Sequence, residues 1–438
     1  MWTTIDVVRF VEVESASVPW SPGPPVLWIG VKPGSLSRQD AQVAVIGCEE
    51  LLKKFELTDV EIAFRESLFT RLAPPKLLKY VSSHNATAPV RGPLTPALGF
   101  PIAADATPST EGTGTLYIRE SSDSTKVFVL TARHVLLPRR QVPNKLYDRR
   151  LIKRSRDVLH LGRTAFQSVL DSIMREIKHH VFYVNHLTKQ LEYLAKKEAN
   201  ASENDVIKIK QRRTETEHQL EKSKEAIEPL NEFHTEFTKY WSSERHRVLG
   251  HIAYAPPISA GTGTERFTED WALIELDDEK IDWSEFKGNV IDLGTELSFI
   301  DFTQKITADF KVTNFFEYPL DRFLPIHGIV SADELRHPTT LDAEGQPHLF
   351  VIKSGSSTGI TIGRANGIMS FDRHFAAAGD SGAPIVDPVG RLVGMLTGGC
   401  ASDKRSYNID ITYATPYYWL EERIKKCFPD TCLYEPKA

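Results

Sequence analysis

Residues 377–387 read AAGDSGAPIVD, a stretch in which Ser381 follows a Gly-Asp pair and precedes a glycine and an apolar run. Gly, Asp and Ser are ordinary turn residues, so one interpretation of the string is a surface turn. The other is that Ser381 is a nucleophile, which requires an adjacent general base. The choice depends on whether the chain also supplies that base and an acid to orient it.

A histidine and an aspartate each stand at the edge of an apolar strand pattern. His134 follows the run VFVLTA within 127–138, and Asp270 precedes the run WALIEL within 268–278. Taken singly, such a histidine is usually structural and such an aspartate merely begins a strand. Together with Ser381 they give the chain order His, Asp, Ser, which two other classes of triad hydrolase do not share. This order is that of the double-barrel serine proteases.

The segments around these three residues resemble the motifs of the chymotrypsin-like (trypsin-like) serine protease family. TARHV resembles its Thr-Ala-Xaa-His motif, DWALIEL its Asp-Xaa-Ala-Leu motif, and GDSGAPIV its Gly-Asp-Ser-Gly-Gly-Pro motif. Three later stretches resemble strands of the second barrel, the cleft-lining strand, and the closing strand with its terminal helix: KSGSSTGITIG (353–363), RLVGMLTGG (391–399) and ITYATPYYWLEERIKK (411–426). The resemblance covers about residues 98–139 and 246–428, and the strand pair at 353–363 resembles that of the disulfide-poor bacterial and fungal members.

The resemblance implies a role for each residue. His134 is expected to take the proton of Ser381, and Asp270 to hold the imidazole in the correct tautomer. The backbone N–H groups of Gly379 and Ser381 are expected to form the oxyanion hole. We therefore expect a serine endopeptidase that hydrolyses a protein or peptide substrate through an acyl-enzyme, with no cofactor and no metal.

The sequence departs from the family in two places that matter. Secreted members carry cysteines where this chain has Val135 and the pair Ala377 and Ala378. In the secreted zymogens a new N-terminus inserts beside the aspartate that precedes the serine. Here the protease region follows a long N-terminal segment with no obvious activation site, so we expect another group to satisfy Asp380.

The specificity pocket can be placed by position only. We expect its base to be formed by Phe375 and Ala376. We expect its walls to be formed by Thr397, Gly398, Gly399, Ile411 and Thr412. No carboxylate stands at the base, so a preference for Lys or Arg is not expected. No basic cluster is evident for acidic substrates, although His374 is nearby. An apolar or small side chain before the scissile bond is the expectation.

The pattern of elements predicts a mainly-β protein, a chymotrypsin-like double β-barrel with an inserted helical hairpin and a small N-terminal α/β module. The predicted organisation is a module at 1–80, a linker at 81–97, a first barrel at 98–154 and 246–310, a hairpin insertion at 155–245, and a second barrel with a C-terminal helix at 311–438. Because residues 81–111 are rich in Ser, Thr, Pro and Ala, this segment is also a candidate for self-cleavage.

The insertion contains almost no Gly or Pro and carries two heptad series. The first comprises Leu170, Ile173, Ile177, Val184, Leu187, Leu191 and Leu194, with His180 at the remaining position. The second comprises Val206, Ile209, Leu220, Ile227, Leu230, Phe237 and Trp241, with Arg213, Thr216, Ser223 and His234 as weaker members. NASEND (200–205) separates them, which predicts two antiparallel helices of about 50–60 Å each. They either pack on the body or project as an arm, and their length and charged faces favour projection.

Composition bounds the class of protein. A net charge of −5 and a pI near 6.3 do not predict nucleic acid or an anionic membrane as a partner. No apolar run reaches the roughly 18 residues of a membrane span, and the N-terminus shows no secretory signal. Four cysteines are too few for a disulfide scaffold, so we expect an intracellular, cytoplasmic protein with free thiols, although Cys427 and Cys432 are close enough in sequence to pair.

The arm would bind a substrate, a protein partner or a second copy. The alternative function is a protease-fold scaffold acting mainly through that arm.

Overall fold

The computed structural model describes residues 2–10, 23–67, 75–152, 155–294, 300, 302, 318–341, 345–365, 375–400 and 411–435. The chain divides into two compact units, Met1–Ala73 and Pro74–Ala438. All residues predicted to form a site belong to the second unit. His374, which was considered beside the specificity pocket, lies outside the described residues.

The first unit is a three-stranded sheet with one helix. Strand β1 (Trp2–Arg9) pairs antiparallel with β2 (Pro25–Val31), and β2 pairs parallel with β3 (Glu61–Glu66). Helix α1 (Arg38–Lys54) provides the crossover that two parallel strands require. Its N-terminus is capped by the Ser37 hydroxyl, which accepts a hydrogen bond from the Asp40 amide. The elements follow the predicted order of strand, strand, helix, strand.

The second unit contains two long helices, several short ones and many short strands. Its strands are β4 (Pro101–Ala104), β5 (Glu111–Thr113), β6 (Leu116–Arg119), β7 (Val127–Thr131), β8 (Tyr147–Asp148), β9 (Asp157–His160), β10 (Val248–Ala255), β11 (Ser259–Thr262), β12 (Phe267–Glu269), β13 (Ala272–Leu276), β14 (Val290–Asp292), β15 (Phe323–Pro325), β16 (Thr340–Leu341), β17 (Pro347–Gly355), β18 (Gly359–Ala365), β19 (Pro384–Val386), β20 (Leu392–Cys400), β21 (Ile411–Pro416) and β22 (Cys432–Leu433). Its helices are α2 (Ala88–Arg91), α3 (Arg133–Leu136), α4 (Arg163–Glu198), α5 (Glu203–Trp241), α6 (Ala332–Arg336) and α7 (Tyr417–Cys427).

Two large antiparallel sheets organise these strands. The first has the order β22-β6-β7-β13-β10-β9-β4-β5, with β8 also paired to β10. The second has the order β16-β17-β19-β20-β21, with β18 also paired to β17. Strand β22, which was predicted with the C-terminal region, pairs with β6 and so joins the first sheet. A sheet-rich, mainly-β unit interrupted by a long helical pair is therefore the observed architecture.

The segment before β4 differs from the prediction. The boundary between the units falls at Ala73/Pro74 rather than at residue 80, and the predicted linker 81–97 is part of the second unit. Val90 and Leu94 lie in its main core, and α2 packs against α4. The sequence did not predict that these two residues are buried, because single apolar residues in a Pro- and Thr-rich segment form no repeating pattern. The exposure on which self-cleavage was predicted is correspondingly reduced.

Helices α4 and α5 pair with each other as the two heptad series predict. They contain 36 and 39 residues, which corresponds to lengths of about 54 and 58 Å. Residues 199–202 form the connection. Most predicted seam positions are buried or half-buried, whereas Arg213 is on the surface, where it binds Glu198 and Glu217. The seam of α5 also includes Ala226 and Phe233, which the predicted heptad phase omitted.

The two ends of the hairpin are buried in different ways. Near its base, α4 and α5 contribute side chains to the main core of the unit: Val169, Ile173, Ile177, Ala226, Leu230, Phe233, Phe237 and Trp241. Further along, Leu187, Leu194 and Ile209 are buried outside that cluster, between the two helices. The base is thus packed on the body, and the far half is an arm supported by its own seam.

Two further predictions concern the chain as a whole. Within the described residues, no helix is both long enough and apolar enough to cross a membrane. The described cysteine side chains Cys48, Cys427 and Cys432 are free thiols, as predicted.

Candidate active site

The predicted base and acid meet at the centre of the first sheet. Strands β7 and β13 are neighbours with Thr131 opposite Ala272, so the turn after β7 faces the turn before β13. His134 lies in the first of these turns and Asp270 in the second. The Asp270 carboxylate accepts a hydrogen bond of 2.6 Å from His134 Nδ1 and another of 3.1 Å from the His134 amide. One carboxylate therefore fixes both the ring and the backbone of the histidine.

This contact determines the tautomer of the imidazole. A carboxylate accepts hydrogen bonds and does not donate them, so the Nδ1 atom of His134 carries a proton, and in the neutral imidazole this tautomer has its lone pair on Nε2. The His134 side chain is 34% exposed, whereas that of Asp270 is 8% exposed. The arrangement thus has a buried orienting acid and an accessible base.

A buried arginine anchors the histidine turn. Arg133 is 1% exposed, and its guanidinium donates hydrogen bonds of 2.9 Å to the carbonyl of Ala255 and 2.8 Å to that of Lys145. Burial lowers the pKa of Arg133, and the negative charge of Asp270 opposes this effect. The residue occupies the unspecified position of the Thr-Ala-Xaa-His pattern, so the motif did not indicate its role.

The aspartate turn is held from the C-terminal helix. Glu269 receives two hydrogen bonds from the Arg423 guanidinium, of 2.9 and 2.8 Å, and Arg423 lies on α7. Trp271, on the other side of Asp270, is completely buried, and its ring stacks on Tyr254. Both neighbours of Asp270 are therefore immobilised, which fixes the direction of its carboxylate.

Ser381 lies in a tight turn between β18 and β19. Gly379 has a φ of +101°, a conformation that residues with a side chain rarely adopt. The amides of Asp380 and Ala383 donate within the turn, whereas in the described part of the chain the amides of Gly379 and Ser381 donate to no group. These are the two N–H groups that were predicted to form an oxyanion hole.

Strand β5 brings the serine turn to the histidine turn. The Thr113 amide donates to the Ser381 carbonyl at 2.8 Å, and the Thr131 hydroxyl donates to the Thr113 carbonyl at 2.8 Å. Gly382 is so close to the Thr113 carbonyl and to the Thr131 hydroxyl that a side chain there would overlap both. Among the described residues, no hydrogen bond joins Ser381 Oγ to His134. The two turns therefore lie side by side, joined through Thr113 and not by a hydrogen bond between the serine hydroxyl and the imidazole.

Asp380 has an internal cationic partner, Lys353 on β17. Both side chains are completely buried, with Lys353 Nζ 2.8 Å from Asp380 Oδ2. The same carboxylate accepts hydrogen bonds from the amides of Ser357 and Ala377, both at 2.9 Å, and from the Thr358 hydroxyl at 2.7 Å. Burial alone would raise the pKa of Asp380, and the Lys353 ammonium with these hydrogen bonds holds it below its ordinary value. Burial lowers the pKa of Lys353, and Asp380 opposes that effect.

The carbonyls of the turn are also held. The Ser356 hydroxyl donates to the Gly379 carbonyl at 2.8 Å, and the Ser357 hydroxyl donates to that of Ala378 at 2.7 Å. The prediction that another group satisfies Asp380 did not name Lys353. The available signal was a single lysine at the end of the apolar run LFVIK (349–353), where an unpaired charge would not be tolerated.

The predicted pocket residues fall into two groups. Phe375 is 2% exposed and packs in a small core with Val351 and Ala383. Thr397 and Gly398 are half-buried on β20, which pairs with β21, and a side chain at Gly398 would meet no described atom within 4 Å. Among the described residues, no atom is close to a side chain placed at Gly398, whereas the ring of Phe375 is enclosed.

No model of a known protein family matches this chain, and no curated protein matches it either.

Proposed function

We propose that this chain is a serine endopeptidase with a chymotrypsin-like double-barrel fold, in which the nine-stranded sheet is the first barrel and the six-stranded sheet the second. The observation that carries the proposal is the Asp270–His134 pair beside the serine turn. In this turn glycines flank the Asp-Ser pair, and the amides of Gly379 and Ser381 donate to no group among the described residues. Carboxylate, imidazole and hydroxyl in this order on adjacent turns are the groups that acyl transfer needs.

The chemistry follows from the positions of these groups. His134 Nε2 accepts the Ser381 proton while Oγ attacks the substrate carbonyl carbon, and Asp270 stabilises the resulting imidazolium. The carbonyl oxygen becomes an oxyanion that accepts hydrogen bonds from the amides of Gly379 and Ser381. Each such donor contributes about 10²–10³-fold to the rate. His134 then protonates the leaving amine, and water repeats the sequence on the acyl-enzyme.

The open contact between Ser381 and His134 is compatible with this role. In substrate-free enzymes the hydrogen bond between nucleophile and base is often long, and it tightens when substrate binds. The surroundings are already fixed: Asp270 holds the ring of His134, and Lys353 with Asp380 holds the serine turn. For substrates we propose peptides with an apolar or small residue before the scissile bond. An intracellular, reducing setting is part of the proposal, supported by the free thiols of Cys427 and Cys432.

Labelling with a fluorophosphonate tests the proposal directly. We expect the wild-type protein to be labelled on Ser381, as located by peptide mass spectrometry, and Ser381→Ala to remain unlabelled. Asp270→Asn should label about 10⁴-fold more slowly, because the imidazole loses its orienting acceptor. Ser284→Ala, which alters an exposed serine bonded to Asp282, is the matched control and should label like the wild type. A native protein that stays unlabelled beside a labelled control protease would contradict the proposal.

A scaffold function through the arm is the second candidate, and the exposed side chains of α4 favour it. Phe182 and Tyr193 are 65% and 62% exposed on the arm. Large exposed apolar surfaces are uncommon on monomeric soluble proteins and often mark a protein–protein contact. Residues 185–214 carry seven basic and four acidic groups, whereas residues 215–236 carry two basic and seven acidic groups. Two arms placed antiparallel would bring opposite charges together, so the occupant we propose is a second copy of the chain.

Sedimentation of the Ser381→Ala protein separates the two candidates. Self-association that is weakened by Phe182→Ser and by high salt, in a wild-type protein that fluorophosphonate does not label, would favour the scaffold. A monomer at all salt concentrations would exclude self-association through the arm. Thr188→Ser, at an exposed position of the same helix, is the control and should leave the association unchanged.

A further inference from the structure

We infer that Glu111 and Thr113 are positioning residues that connect the helical arm to the serine turn, so that the state of the arm sets the rate of acylation. The inference rests on the proposed function and adds a means of regulation to it. Both residues lie on β5, a strand of three residues that contacts the start of α4 at one end and the turn around Ser381 at the other.

Glu111 caps the arm from outside it. Its two carboxylate oxygens accept hydrogen bonds of 2.9 and 3.1 Å from the amide of Ala165, in the first turn of α4. The helix has Gly162 at its N-cap, no capping side chain of its own and no acidic residue in its first turn. The partial positive charge of a 36-residue helix is therefore met by a carboxylate from the body of the unit. Gly162 leaves the room for it, because a side chain there would overlap Glu111.

Thr113 holds the serine turn. It is completely buried, and its amide donates to the Ser381 carbonyl at 2.8 Å while its hydroxyl donates to the Gly379 carbonyl at 2.9 Å. The same hydroxyl lies 3.1 Å from Ser356 Oγ, which also donates to the Gly379 carbonyl. The peptide that follows this carbonyl belongs to Asp380, so Thr113 restrains the backbone on both sides of the turn that presents the oxyanion donors.

The backbone that joins these contacts is short and closely packed. Only Gly112 separates Glu111 from Thr113, and a side chain on Gly112 would overlap Val135 and come within 2.9 Å of the Ser381 carbonyl oxygen. Strand β5 is also paired to β4, from Pro101 opposite Thr113 to Ala103 opposite Glu111. A shift of the first turn of α4 is therefore passed along β5 to the turn itself.

The direction of the effect follows from the contacts that hold the serine turn. The Lys353–Asp380 pair and the Thr113 hydrogen bonds fix this turn in the structure, and the Thr113 contacts are the ones that strand β5 carries. A partner that pulls the first turn of α4 away from Glu111 therefore lowers the rate of acylation. A partner that leaves α4 in place changes nothing at the site. Displacement of the arm therefore inhibits acylation.

Substitutions in the full-length protein, with two readouts, test the inference. We expect Glu111→Ala to be labelled by fluorophosphonate about tenfold more slowly than wild type, because the cap contact is lost. Glu111→Gln should stay within about threefold, because its amide oxygen still accepts from Ala165. Backbone hydrogen exchange of residues 377–383 should rise in Glu111→Ala and not in Glu111→Gln. Glu244→Ala, which removes the exposed partner of Arg163 at the arm's base, is the control and should change neither readout.

A double-mutant cycle tests the route. Thr113→Val should slow labelling and Thr113→Ser should rescue it, and Glu111→Ala with Thr113→Val should be at most about twofold slower than the slower single variant, since both act through one strand. Multiplied effects, or Glu111→Ala at the wild-type rate with unchanged exchange, would overturn the inference. Absence of labelling in the wild type would refute the proposed function instead, and exchange at 377–383 would still decide whether the arm and the turn are connected.

Discussion

Replacing Lys353 with Met tests whether an internal ammonium holds the serine turn. The substitution keeps the length of the side chain and removes the charge that lies 2.8 Å from Asp380 Oδ2 in a completely buried pair. Removing one partner of such a pair costs about 3–5 kcal/mol, because the other charge is left uncompensated. Asp380 keeps three backbone or hydroxyl donors at 2.9 Å or less, from Ser357, Thr358 and Ala377, so we expect the lower figure, about 3 kcal/mol.

The loss should depend on pH in a stated direction. In the variant, burial acts on Asp380 without an opposing charge, so the folded-state pKa rises above the unfolded value of about 3.9. The unfolded chain then ionises before the folded one as pH increases, which destabilises the variant progressively above about pH 4. In the wild type the folded pKa is lowered, so its stabilisation is present above that pH and is lost below it. The difference in stability between the two proteins should be full at pH 7, should narrow toward pH 4, and should close only as the pH falls through the lowered folded-state pKa of the wild-type Asp380.

Urea unfolding between pH 4 and 8 and fluorophosphonate labelling measure the two consequences. Labelling should fall by about 100-fold at pH 7, corresponding to one misplaced oxyanion donor. Lys353→Met with Asp380→Asn should recover most of the stability, because no buried charge remains. Lys126→Met, which removes a half-exposed lysine at 3.8 Å from its partners, is the control and should cost less than about 1 kcal/mol. A Lys353→Met protein with wild-type stability and labelling would refute the reasoning.

Three further predictions concern a buried histidine, the glycine of the serine turn and the arginine that binds Glu269. Burial lowers the pKa of His160 to about 3, so the unfolded chain binds more protons than the folded one as the pH falls through about 6.5, and stability falls by roughly 2 kcal/mol between pH 6.5 and 4.5; His160→Phe should remove this loss in urea unfolding, and an unchanged pH dependence would contradict it. Gly379→Ala should slow labelling by about 10²-fold, since the new side chain would overlap Ser357 at a φ of +101°; a wild-type rate would exclude a fixed turn. Arg423→Met should cost about 2 kcal/mol by leaving Glu269 without its bidentate partner, and Glu269→Gln in the same protein should recover part of it in urea unfolding; equal stability of all three proteins would contradict this.

The parts of the molecule that sequence reasoning located are those with a local signature. Ser381, His134 and Asp270 each lie at the edge of an apolar run, and their order along the chain restricts the folds that combine them. The arm was predicted because heptads repeat over many turns. Such features are written within ten or so neighbouring residues, or repeat often enough to be counted.

The remaining features depend on pairs of residues that are distant in sequence. Lys353 meets Asp380 across 27 positions, and Glu111 meets Ala165 across 54. Neither member of a pair has a pattern of its own, so only the folded chain reveals the partner. The buried anchors Val90 and Leu94 were missed for a related reason, because isolated apolar residues in a Pro-rich segment resemble a linker until they are packed.

The order of these groups along the chain has a consequence for biosynthesis. His134 and Asp270 emerge from the ribosome first, and 111 further residues are needed to reach Ser381, which takes about 5–20 s at ordinary elongation rates. Lys353 and Asp380 belong to this late segment, so the arm and every strand of the first sheet except β22 are made before the serine turn exists. Under the proposed function, a nascent chain therefore passes through this interval without the nucleophile that peptide cleavage needs. Because the cation for Asp380 comes from the same stretch of chain, the turn completes itself as soon as that stretch folds.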